Sequence, residues 1–219
     1  MGNHTFMRLD HVSYAVSNSE LVDTVQRLGQ QLGGSFHDGG RHPRFGTRNF
    51  VLPLEGGTYV EVVAALDHPA SDKAPFGQAV RRRAEDGGGW LGWVVSVDDI
   101  SPLEERLGRP AADGHRVRPD GFDLTWKQIG VTDVLEDASL PFFIQWTSDP
   151  AHHPSLDEPA HVAAVACEIA GDRDRIRDYL GGELASPIEG SGIEWVEAEE
   201  PGMVAVHFRT SNGDVVRVD

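Results

Sequence analysis

Between residues 9 and 64 the chain runs strand, helix, strand, strand, strand within about 55 residues, and near residue 90 the order starts again. Residues 9–16 alternate and carry β-branched side chains, which predicts a strand. Leu21, Val25, Leu28 and Leu32 recur at helical spacing behind Asn18 or Ser19 as cap. Gly33-Gly34 supplies the left-handed turn on which helices end. A short strand over 35–37, a glycine-rich loop through Gly40 and a strand over 48–54 follow. Gly56-Gly57 then turns the chain into a strand over 58–64.

The second round begins after a linking helix over 75–85 that Gly87-Gly88-Gly89 breaks. A strand over 90–97 leads to Ser101-Pro102, which caps a short helix over 103–107 closed by Gly108. Strands over 122–131 and 140–146, joined by a polar turn near Glu136-Asp137, complete it. Past a Pro- and His-rich connection comes a third round. It has a strand over 161–170, a helix capped by Asp172 and ending at Tyr179-Leu180 before Gly181-Gly182, and strands near 193–197, 203–210 and 214–218. Self-similarity of this kind constrains a fold more than any lone motif. It predicts an α+β chain of repeated βαβββ modules with curled mixed sheets. Residues 1–148 hold a pair of modules (8–65 and 90–147), residues 149–160 a linker, and residues 161–219 a third βαβββ-like module.

Composition narrows the function classes. The 219 residues carry a net charge of −16 with His neutral, which argues against nucleic acid and against an anionic membrane surface. A single cysteine, Cys167, excludes an intramolecular disulfide and a CxxC metal or redox site. No stretch approaches the roughly 18 apolar residues of a membrane span, and the first residues do not read as a signal peptide. A cytoplasmic location is expected. Neither a GxSxG nucleophile elbow nor an HExxH helix is present.

Superposing the rounds by register puts His11 on the first strand 50 positions before Glu61 on the last. In the second round Trp93 falls at the His position and Gln145 at the Glu position; in the third, His161 and Arg217 do. With Leu9-Asp10-His11-Val12, Gly39-Gly40-Arg41-His42-Pro43, Gly46-Thr47-Arg48-Asn49, Tyr59-Val60-Glu61-Val62 and residues 140–146 in this order, the chain resembles the vicinal oxygen chelate superfamily. More narrowly it resembles its glyoxalase-like branch, which includes glyoxalase, bleomycin-resistance and dioxygenase types. The match is strongest over residues 8–147.

The resemblance implies that two modules set their sheets side by side as a cup, with divalent metal ligands from the first and last strands of each. Carried over residue by residue, it assigns His11 and Glu61 as ligands, with Gln145 as a neutral amide oxygen; the indole of Trp93 cannot ligate. Imidazole with carboxylate and amide oxygens suits zinc, manganese, nickel, cobalt or iron(II). His42, carried by the Gly39-Gly40 loop, is the recruit that would join the site, and Glu61 serves as ligand or as general base. Trp93, Trp126 and Phe143 would wall the cup, with Asn49 beside them as a substrate contact.

Plainer roles are open to the same residues. His11 could be a hydrogen-bonded buried histidine, Glu61 a carboxylate paired with Arg48 or His11, and Gln145 a partner for backbone groups. Two functions remain in view. One is a metal-assisted lyase, isomerase or oxygenase acting on a small oxygen-bearing molecule. The other is a metal-independent protein that binds or sequesters a small molecule such as an antibiotic. A third module without a mate either pairs across a two-fold axis in a homodimer or caps the first pair.

Overall fold

The structure is a computed structural model, and it describes residues 7–181 and 192–219. Gly182, expected beside a helix end, and residues 1–6 lie outside the described residues.

The first unit comprises β1 (Met7–Val16), α1 (Leu21–Leu32), β2 (His37–His42), β3 (Thr47–Leu54) and β4 (Thr58–Ala65). Period-2 alternation divides β1: Val12, Tyr14 and Val16 join the main core, while His11, Ser13 and Ala15 face the other way. In α1, Leu21, Leu28 and Leu32 bury one stripe, contributing about 2 kcal/mol each by area. Gly33 closes the helix with φ +69° and donates its N–H to the Gly29 carbonyl. The helix begins after Glu20, whose side chain makes no cap bond, instead of being capped by Asn18 or Ser19.

Two short helices link the units, α2 (Pro69–Lys73) and α3 (Pro75–Glu85). The second unit comprises β5 (Gly89–Val97), α4 (Ser101–Leu107), β6 (Ala112–Val117), β7 (Asp123–Ile129), α5 (Val131–Glu136) and β8 (Phe142–Trp146). Three expectations differ from the structure. The strand expected through residue 131 stops at Ile129, and the polar turn near Glu136 is a helix, because Val131 and Val134 bury one face three residues apart. The glycine-rich loop through Gly40 is part of β2, whose ladder with β3 runs from His37↔Val51 to His42↔Thr47. Pairing overrides the low strand propensity of its sequence.

Each unit orders its strands with the first parallel to the last: β1 beside β4, β5 beside β8. The units meet antiparallel along β1 and β5, and again at Arg41↔Val117 between β2 and β6. Together these seams close an eight-stranded barrel in the order β1-β4-β3-β2-β6-β7-β8-β5. Closure removes free sheet edges and gives the curled sheets a common interior.

Two 3-10 turns, Pro150–His152 and Pro154–Leu156, lead to β9 (Ala163–Ala170), α6 (Arg173–Leu180), β10 (Gly192–Val196), β11 (Gly202–Arg209) and β12 (Val215–Val218). The βαβββ order recurs among the described residues, but the strand order is β10-β9-β11-β12, so the first strand lies inside the sheet. This sheet packs on the outside of the barrel, where the Trp90 indole donates to the Val218 carbonyl at 2.8 Å. No helix of the described residues is long and apolar enough to cross a membrane.

Candidate functional site

Polar side chains gather on one wall of the barrel. A β-bulge between Leu9 and His11 places Asp10 and His11, neighbours in sequence, both in buried positions. Asp10 is fully buried; its Oδ1 accepts from His11 Nδ1 at 2.7 Å. Its Oδ2 accepts from Trp146 Nε1 at 2.9 Å and His153 Nε2 at 3.2 Å. Burial alone would raise the Asp10 pKa, but the hydrogen bonds from His11 and His153 outweigh it and hold the carboxyl well below the usual carboxylate range. An ionised Asp10 only accepts, so His11 Nδ1 carries the proton and Nε2 is the atom turned to the cavity side.

His11 Nε2 lies 3.8 Å from Glu61 Oε1. The imidazole stacks on Tyr59 with centroids 4.4 Å apart. Glu61, on β4 opposite Ser13, accepts from Ser13 Oγ at 2.6 Å on Oε1 and from Asn49 Nδ2 at 2.8 Å on Oε2. Burial raises its pKa, yet the charge of His11 and these two hydrogen bonds bring it below the ordinary value. His42 Nδ1 is 2.8 Å from Thr47 Oγ1, and burial pushes its pKa down to about 4 against the pull of Glu61. From β6, Arg116 Nη1 donates to Asn49 Oδ1 at 3.3 Å.

The cavity is small, about 30 Å3. His11, His42, Asn49, Glu61 and Trp126 all line it, with Phe45, Phe76, Phe142, Ile144 and Trp146 as its apolar wall. Five of the expected site residues therefore come together.

Three do not. Trp93 pairs with Val12 on the outer face of the barrel, is 1% exposed, and donates its Nε1 to the Ser139 carbonyl at 3.0 Å. Phe143 is fully buried in the same outer core, its ring 5.6 Å from Tyr179 of α6. Gln145 also points out of the barrel; its Oε1 accepts from Ile100 N–H at 3.1 Å and its Nε2 donates to the Asp98 carbonyl at 3.0 Å. A register displaced by one residue accounts for all three, since it exchanges the two faces of a strand. On the matching inward positions the second unit carries Val94, opposite His11, and Ile144.

This bears on the divalent ion. His11 Nε2 and Glu61 Oε1 are two donors; His42 lines the same cavity but does not bring a donor atom within 4.8 Å of both, and Val94 and Ile144 offer none, where zinc centres use three or four. The donor set does not fit a firmly held divalent ion. Among the described residues, three donors lie within 4.8 Å of one another at Glu168, Glu194 and His207 on the outer sheet. There Arg217 already binds both oxygens of Glu168, at 2.9 and 2.8 Å, and His207 binds Oε1 at 2.6 Å, which makes an ion-pair network.

Asp10, Ser13, Tyr59 and Arg116 were not among the expected site residues. For Asp10, Ser13 and Tyr59 a signal existed: each sits next to, or two residues from, His11 or Glu61 on the same strand. For Arg116 there was none, because β6 has no apolar alternation to mark it as a strand.

With a buried, polar-walled barrel of paired βαβββ units, the chain belongs to the glyoxalase-like domain family, whose model matches residues 9–176, within the vicinal oxygen chelate superfamily. No curated protein matches the sequence. The fold is similar to that of a hypothetical protein from Staphylococcus aureus, with TM-score 0.69 at 13% identity over 97% of this chain and 99% of that one. That likeness includes the C-terminal sheet and speaks for the fold alone. Two methylmalonyl-CoA epimerases also align at 16% identity and TM-score 0.43. The one from Mycobacterium tuberculosis covers 67% of this chain and 91% of its own. The one from Streptomyces coelicolor, in complex with 2-nitronate-propionyl-CoA, covers 65% and 99%.

Proposed function

We propose that the barrel interior is the active site of an isomerase- or lyase-type enzyme that moves a proton on a small oxygen-bearing molecule, with His11 and Glu61 as the proton-moving pair. The observation that carries this reading is the line Asp10–His11–Glu61, in which one imidazole nitrogen is fixed by a carboxylate and the other faces a second carboxylate at 3.8 Å. One member of the pair takes a proton from a carbon beside a carbonyl, and the electron pair of the broken C–H bond moves onto the carbonyl oxygen. The proton then returns to the same or the neighbouring atom, so substrate and product are isomers and no oxidant is consumed. Positioned acid–base groups of this kind supply about 10²–10⁴-fold. A space of about 30 Å3 favours a compact substrate. No step is assigned to a metal ion.

The apolar wall supports a second reading, a binding protein that holds a small molecule without transforming it. Incubation of small 2-oxo and 2-hydroxy compounds with the protein in D2O, followed by NMR, separates the two. Deuterium should enter the carbon beside the carbonyl with the wild type and not with His11→Ala. Binding of such a compound with no exchange under any condition would favour the second reading.

A further inference from the structure

We propose that Arg116 is a carboxylate-recognition residue and that the molecule handled in the barrel is a small organic acid; this rests on the barrel being the functional site. Arg116 is 2% exposed and lines the cavity from β6. Its Nη1 donates to Asn49, but Nε and Nη2 have no hydrogen-bond partner. Those two N–H groups lie side by side on one edge of the guanidinium, spaced to meet both oxygens of a carboxylate.

The nearest outer acid does not close this fork. Asp157 Oδ2 stays 3.9 Å from Arg116 Nη2, because Arg118 Nη1 holds Asp157 Oδ1 at 3.1 Å and His37 Nε2 holds Oδ2 at 3.1 Å. On the inner side Arg116 reaches Glu61 only through Asn49. A guanidinium stays charged at neutral pH, and burying it without a full set of partners is unfavourable. A ligand anion would supply the partners that edge lacks.

The backbone makes room for the arrangement. A Cβ at Gly39 would stand 2.2 Å from Asn49 Oδ1 and 2.6 Å from Arg116 Nη1, so a larger residue there would push the pair out of place. Through Asn49 the fork is tied to Glu61. A ligand anchored by its carboxylate thus sits at one end of the network whose other end moves the proton.

Isothermal titration calorimetry of the full chain with lactate and malonate, against lactamide, malonamide and inorganic phosphate, reads the proposal. At least one acid is expected to bind about tenfold or more tighter than its amide and than phosphate. Arg116→Gln should lose about tenfold or more of that affinity and abolish the preference for acid over amide. Arg116→Lys, which keeps a point charge without the fork, should lose about threefold or more, and it carries the test should Arg116→Gln fail to fold. Equal binding of acids and amides, no binding of either acid, preference for phosphate, or unchanged affinity in the folded variants would overturn the proposal. Glu61→Gln separates the two readings. Arg116-dependent acid binding in a wild type that exchanges no hydrogen leaves the carboxylate site standing and sinks the proton-transfer reading. Exchange that Glu61→Gln abolishes, with no acid preference, does the reverse.

Discussion

His11 Nε2 and Glu61 Oε1 face each other at 3.8 Å inside the barrel, too far apart for a hydrogen bond and close enough to address the same reacting atom. Each is held by partners of its own: Asp10 and the Tyr59 ring for His11, Ser13 and Asn49 for Glu61. Neither therefore depends on the other for its position, and removing one leaves the other in place.

Glu61→Gln should lower the rate of solvent hydrogen exchange into substrate by about 10²–10⁴-fold. The amide keeps the shape and the bond from Ser13 or Asn49, so the melting temperature should move by only a few degrees. NMR exchange rates and a thermal melt on the same preparation check both halves.

Chelation should leave that rate within about twofold, because His11 and Glu61 are the two donors the barrel brings close together and zinc sites use three or four. The exchange assay with and without EDTA decides it. Activity lost to EDTA and restored by zinc, manganese, nickel, cobalt or iron(II) would show that the ion finds further ligands.

Acid should destabilise the protein in two windows. The folded His42 pKa is lowered to about 4 from 6.5, so between those values the unfolded state binds more protons and stability falls as the pH falls. The full contribution is about 3 kcal/mol. It is present above pH about 6.5 and lost by about 4. The depressed carboxyls of Asp10 and Glu61 add a loss below about pH 4, with the same sign. Urea unfolding across pH 3–7 should show the upper window flattened in His42→Gln and the lower one retained.

Trp93→Phe should cost about 1–3 kcal/mol, since it leaves the Ser139 carbonyl without its 3.0 Å donor and opens space in a closed core. Ligand affinity should stay within about twofold, as the indole lies outside the barrel. Urea denaturation and calorimetry on one sample test the pair of statements.

Gln145→Ala should behave as the loss of a bracket between β8 and the start of α4. It removes the bonds to Ile100 N–H and the Asp98 carbonyl, at about 1 kcal/mol, with exchange activity retained. A collapse of activity in a folded variant would return Gln145 to the site.

The half of the site that the sequence revealed is the half written as polar residues on apolar strands. His11 and Glu61 interrupt runs of Val and Tyr, and a buried polar group in such a run needs a partner. The βαβββ order was equally plain, from glycine punctuation and helical spacing. What escaped was parity. Trp93, Phe143 and Gln145 each lie one residue from an inward position, and no count of spacings distinguishes neighbours on a strand where both faces are buried. β6 escaped for a different reason. Its inward-facing Gly114 and Arg116 carry no hydrophobic alternation, and the strand exists because β7 and the barrel seam pair with it.

The inequality between the two units gives the barrel separable controls. His11, Asn49 and Glu61 stand on β1, β3 and β4, while Phe142 and Ile144 of β8 shape the apolar part of the same cavity. Trimming Ile144 would enlarge the chamber while leaving the His11–Glu61 pair the supports that Asp10, Tyr59, Ser13 and Asn49 provide. The shape of the chamber can thus drift, by natural variation or by design, at an apolar position that lies apart from the His11–Glu61 pair.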